Sequence, residues 1–92
     1  MSVPYRLSHP SPFDAHSTDN FYFTKNSVDH QVTIYYYPYI RHLPTYTLTT
    51  PNTLTTPNML FVFSSEKETT IHLDDARLIW SRLVELGWKQ EP

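Results

Sequence analysis

The string Ile71-His72-Leu73-Asp74-Asp75 places one imidazole beside two carboxylates. Those groups could ligate a metal or share acid and base work. A metal site needs three or four converging ligands, however, and neither an H-x-x-x-H nor an H-E-x-x-H spacing occurs in the chain. The competing reading places His72 at the junction between a strand and a helix. Asp74 and Asp75 then lie in the first helical turn, where the helix dipole favours negative charge. That reading needs no ligand and is the stronger one. His9, His16, His30 and His42 are scattered through proline-rich or turn segments with no ligand pattern, so they read as turn histidines. No serine stands in a G-x-S-x-G elbow. With neither cysteine nor cofactor motif, the sequence predicts a non-enzymatic protein without cofactor or metal.

The remaining chemical feature is aromatic. Tyr35, Tyr36, Tyr37, Tyr39 and Tyr46 cluster around the middle of the chain, with Arg41 and Lys25 as the nearest cations in sequence. Side chains of a strand alternate between faces, so Tyr35 and Tyr37 must face opposite to Tyr36. Exposed tyrosines anchor protein interfaces; they also stack the bases of single-stranded nucleic acid. A third reading has an N-terminal arm covering this face. Two cations are few for tracking phosphates, which favours protein contact. The candidate binding residues are therefore Tyr35, Tyr37, Tyr39, Arg41 and Tyr46.

The elements that must carry these residues follow from pattern. The 92 residues make one domain. A single glycine, Gly87, excludes glycine-rich phosphate loops. The net charge is −2, rising to +3 only with all five histidines protonated, which is no nucleic-acid footprint. No apolar run approaches the ~18 residues of a membrane span, and the first residues lack the basic and apolar regions of a signal peptide. The expectation is a cytoplasmic protein.

Residues 1–20 carry three of the eight prolines and read as an irregular arm pinned by Tyr5, Leu7 and Phe13. Residues 21–72 read as an antiparallel sheet. Within it, residues 21–24 form a strand, 26–30 a turn, and 31–37 the strongest strand, with Val32, Ile34 and Tyr36 on one face. Pro38 places that strand at an edge or a bulge. A Leu43-Pro44 corner leads to a strand at 45–49. The hexapeptide TLTTPN occupies 47–52 and again 53–58, a duplicated surface turn with Pro-Asn at its centre. The uninterrupted apolar run MLFVF, residues 59–63, predicts a central strand buried on both faces. A polar turn at 64–68 and a strand at 69–72 pair back on it as a hairpin.

Residues 73–86 predict a helix. Leu73, Ala76, Ile79, Trp80, Leu83, Val84 and Gly87 fall on one stripe at helical spacing, opposite Asp74, Ser81, Arg82 and Glu85. Gly87 suits the left-handed position past the helix end, and Trp88 the position that packs back on the last turn. Leu78 lies on the solvent side, where a lone exposed leucine needs no explanation; it matters only if a homodimer forms through this helix. The fold is α+β: an antiparallel sheet of about four strands with one C-terminal helix, 73–88 with its cap, packed on one face.

The stretch TIHLDDARLIWSRLVELGWK resembles the strand–helix ending of small uncharacterised proteins of cyanobacteria and their phages. The shared residues are Ala76, Arg77, Trp80, Leu83, Gly87 and Trp88. The resemblance covers under a quarter of the chain and carries no activity or site; it implies a small accessory or regulatory protein. The expected function is thus a protein-binding regulator, adaptor or inhibitor, acting through the tyrosine face together with the duplicated loop. A sheet-based single-stranded nucleic-acid binder is the disfavoured alternative.

Overall fold

The computed structural model describes residues 5–11, 13–27, 30–39, 53–63 and 67–91. In chain order these form β1 (Tyr5–Ser11), β2 (Asp14–Lys25), β3 (Gln31–Tyr37), β4 (Thr53–Thr55), β5 (Leu60–Val62), β6 (Glu68–His72), α1 (Leu73–Glu85) and β7 (Lys89–Glu91). Five strands build one antiparallel sheet in the order β6-β3-β2-β1-β7, while β4 and β5 form a separate two-stranded hairpin. The class is α+β as expected, with one more strand in the main sheet than the sequence suggested.

The extra strands come from the two ends of the described chain. The described part of the segment read as an irregular arm forms β1 and the first half of β2, and Leu7 is fully buried. Its proline content misled because a proline is harmful only where a ladder needs its N–H. Pro10 lies past Arg6, Leu7 and Ser8, the only residues of β1 that pair with β7, and the β1–β2 register shifts just after it. The same reasoning corrects the expectation for β3, which lies inside the sheet between β2 and β6. Pro38 follows its last residue, and β6 pairs only with Gln31 to Tyr35, so no bond is lost.

The apolar run at 59–63 is not a central strand. Its core, β5, pairs with β4 alone; Phe61 and Phe63 are buried, while Leu60 and Val62 are 57% and 49% exposed. A hairpin laid over a sheet has one covered face, so alternation reappears despite the continuous hydrophobicity. Strand β6 accordingly pairs with β3 and not with β5. The second TLTTPN copy supplies β4 and the tight turn that follows. The Thr56 amide donates to the Met59 carbonyl at 2.8 Å, with Pro57 and Asn58 at the tip. The first copy, the Leu43-Pro44 corner, the strand expected at 45–49 and the start of the turn at 64–68 lie outside the described residues.

The helix matches its expected bounds closely. His72 is the N-cap, extended at φ −67° and ψ 145°, and its Nδ1 accepts the Asp74 amide at 3.1 Å. At the other end Gly87 is left-handed at φ 104°. The Trp88 amide reaches the Leu83 carbonyl at 3.0 Å and the Gly87 amide reaches Val84 at 3.1 Å, which together make a Schellman cap. The apolar stripe is narrower than the sequence suggested. Ala76, Ile79 and Leu83 are buried, Trp80 is half-buried, and Val84 is 48% exposed. Asp75 lies in the first turn as expected and is buried there, where the Asn58 amide group donates to both its oxygens at 3.3 Å.

One core lies between the sheet and a layer made of α1 and the β4–β5 hairpin. Phe21 is its centre, stacked on Tyr36 at 4.3 Å and meeting Phe63 and Trp88 edge-on at 5.7 and 5.0 Å. Among the described residues no helix is long and apolar enough to cross a membrane.

Candidate functional site

Because paired residues of neighbouring strands share a face, the register fixes what the other side of the sheet presents. One row runs Glu91, Arg6, Tyr22, Tyr35, Glu68 across all five strands. The flanking rows bring Asn20 beside Tyr37, and Thr24 beside Thr33 and Thr70. Among the described residues no element packs on this face; β1 lies within the sheet and not over it, so the described part of the arm does not cover the tyrosines.

Tyr35 and Tyr37 stack on each other, centroids 6.0 Å apart and planes 25° apart. With Tyr22, Thr24, Thr33 and Glu68 they line an open hollow of about 440 Å³. Among the described residues its chemistry is three phenol rings, two hydroxyls and one carboxylate, without a cation. Arg6 stands one strand beyond Tyr22, its Nε buried and without a hydrogen-bond partner among the described residues. Ser8 holds the Glu91 carboxylate through a 2.6 Å hydrogen bond.

Of the residues singled out from sequence, the structure brings Tyr35 and Tyr37 together. Tyr39 lies past the end of β3 and outside the hollow; its side chain is exposed and its amide donates to Asp19 Oδ1 at 2.8 Å. Arg41 and Tyr46 lie outside the described residues, as does His42. The second TLTTPN copy sits on the opposite side of the sheet, since Phe63 meets Phe21 and Asn58 meets the helix. The expected joint surface of tyrosines and this copy is therefore not formed: the hairpin buries Phe61 and Phe63 and is held to the helix side by them. Sequence reasoning missed Tyr22 and Glu68. The only signal for Tyr22 was its alternation with Phe21 and Phe23; nothing local pointed to Glu68.

The His72, Asp74 and Asp75 constellation does not converge. His72 caps the helix, Asp74 Oδ2 is 3.7 Å from its Nδ1, and Asp75 turns inward to Asn58. The ring that does join His72 is His30, stacked at 5.9 Å on a left-handed backbone at φ 63°. His16 is exposed, and its amide donates to Asp14. His9 packs on Trp88 at 5.5 Å and faces the most perturbed carboxyl of the described residues, Asp19. Burial pushes the Asp19 carboxyl above its ordinary 3.8, against the pull of the Tyr39 amide and the His9 charge. Its Oδ2 is buried without a hydrogen-bond partner among the described residues. Comparison of the chain with protein-family models, curated proteins and solved structures gives no match.

Proposed function

We propose that this is a non-enzymatic, cytoplasmic protein-binding protein, a regulator, adaptor or inhibitor, whose outer sheet face grips a cationic side chain of its partner. One observation carries the reading: Tyr22, Tyr35 and Tyr37 share a hollow with the carboxylate of Glu68 and, among the described residues that line it, with no cation. Arginine and lysine are attracted to the faces of aromatic rings, and a carboxylate at the rim pairs with the same charge. Phosphate has the opposite requirement. A single-stranded nucleic acid would find stacking rings here but a repelling group in place of lysine or arginine. The strand framework holds the rings without help from a partner, so little side-chain entropy is lost on binding.

The test is an array of short peptides, each with one Arg, Lys, Glu or phosphoserine at its centre, probed with the labelled protein. Arg- and Lys-centred peptides should be retained. Retention should fall at least tenfold when Tyr35→Ala and Tyr37→Ala are combined, and several-fold with Glu68→Gln, while circular dichroism stays unchanged. Labelled oligonucleotides serve as the counter-test by fluorescence anisotropy. Submicromolar, salt-sensitive oligonucleotide binding that the double tyrosine variant abolishes would replace this reading with the nucleic-acid one.

A further inference from the structure

The helix side of the sheet holds a second concavity, unrelated to the tyrosine hollow. A cleft of about 510 Å³ opens between α1 and the strands. Phe23 and Val32 line it from the sheet, and Leu73, Ala76 and Trp80 from the helix. Leu73, Ala76, Arg77, Trp80 and Ser81 lie along one side of the helix, at offsets of three, four, seven and eight residues. Two of the five, Ala76 and Ser81, are small. Trp80 leans on Phe23 at 5.0 Å and on Tyr5 at 6.5 Å, which holds the cleft's aromatic wall in place.

Among the described residues, the charged ones of the lining are Lys25 and Arg77, both exposed, and no acidic one lines the cleft. Neither cation forms an ion pair with a described residue. In a chain of net charge −2, two cations unpaired among the described residues at one apolar opening set a local sign opposite to that of the whole. We propose that this cleft binds one molecule of an amphipathic anion, with an acyl or aryl body against Phe23, Val32 and Trp80 and a carboxylate held by Arg77 and Lys25. The volume lies within the ~300–1,000 Å³ of small-molecule sites. A planar guanidinium is suited to grip a carboxylate with two bonds.

The probes are dodecanoate, decanoate, dodecanol and dodecyltrimethylammonium, each kept below its micellisation concentration and titrated into the full chain. The readout is the indole N–H resonance of Trp80, with that of Trp88 as internal reference. Dodecanoate should bind saturably and shift Trp80, and decanoate should bind roughly fifteenfold more weakly, at about fourfold per methylene. Lys25→Glu with Arg77→Glu should weaken dodecanoate at least tenfold and leave dodecanol unchanged; both positions are exposed, so the fold is spared. Ser81→Trp should fill the cleft and block both ligands. Equal binding of dodecanoate and dodecyltrimethylammonium would overturn the proposal, as would charge reversal without effect or the lack of saturable binding. Binding only of a peptide carrying apolar and acidic residues would replace the small molecule with a protein segment.

Discussion

Trp88→Ala should be the most damaging single truncation in this protein, and clearly worse than Trp80→Ala. Trp88 is 2% exposed and sits among Phe21, Tyr36 and His9. A buried tryptophan removes about 150–250 Å² from water. At ~25 cal/mol per Å² this is about 4–6 kcal/mol. Residual compactness of the unfolded chain trims it by roughly 10–40%, leaving about 3–5 kcal/mol, the usual range for such a change. Trp80 is half-buried and borders the cleft, so its loss should cost about half as much. A 92-residue domain has roughly 5–14 kcal/mol in total, at ~0.05–0.15 per residue. The Trp88 variant is therefore marginal and the Trp80 variant is not. Urea titration followed by circular dichroism measures the difference. With a slope of ~1–3 kcal/mol per M, the Trp88 midpoint should drop by more than about 1 M. A Trp80→Ala protein that loses as much as Trp88→Ala would refute the assignment of the core.

Two further outcomes follow from buried or repeated features. The Asp19 carboxyl holds its proton more tightly folded than unfolded, so folding is penalised as pH rises from about 3.8 through the raised folded value, and the full penalty remains above it. Asp19→Asn should therefore stabilise the protein near pH 7, and its advantage in urea midpoint should shrink as pH falls below that window; a gap independent of pH would contradict the burial argument. Deleting residues 53–58 brings the identical hexapeptide 47–52 up to Met59, so the same side chains are offered to β5 and Asp75. The melting free energy should change by under about 1 kcal/mol, since loop closure depends weakly on length; a thermal melt showing an unfolded chain would mean the first copy cannot be spared.

What the sequence made legible was whatever is encoded locally. Strand β3 was readable because β-branched and aromatic residues alternate without a break. The helix was readable because stripe, cap and dipole charges all agreed within sixteen residues, 73–88. Strand β7 was not, because Lys89, Gln90 and Glu91 carry no apolar signal and become a strand only by pairing with Arg6 to Ser8 at the far end of the chain. Strand β1 failed for the complementary reason: its prolines looked decisive until the partner residues were known. The run MLFVF was ambiguous because hydrophobicity reports burial, not the neighbour that supplies it. For the candidate site, alternation gave Tyr35 and Tyr37 their shared face. Glu68 joined them through the β3–β6 register, which no turn length specified. The cleft was hidden because a small residue on a helix reveals a gap only once the opposing layer is in place.

The route of α1 has a consequence for how the fold could change. Every neighbouring pair in the sheet is antiparallel, so β6 and β7, at opposite edges, point the same way. The helix and its three-residue cap are the only link between them, a strut thrown across the whole sheet. Thirteen helical residues at ~1.5 Å each reach about 20 Å. Four strand spacings of ~4.8 Å make about 19 Å of width. By register His72 and Lys89 also stand six residues apart along the strands, about 20 Å at ~3.3 Å each, so helix and cap together cover a diagonal of about 28 Å. A strand gained or lost between the edges would leave the helix too short or too long to deliver Trp88 to Phe21, so width, helix length and core plug can vary only together.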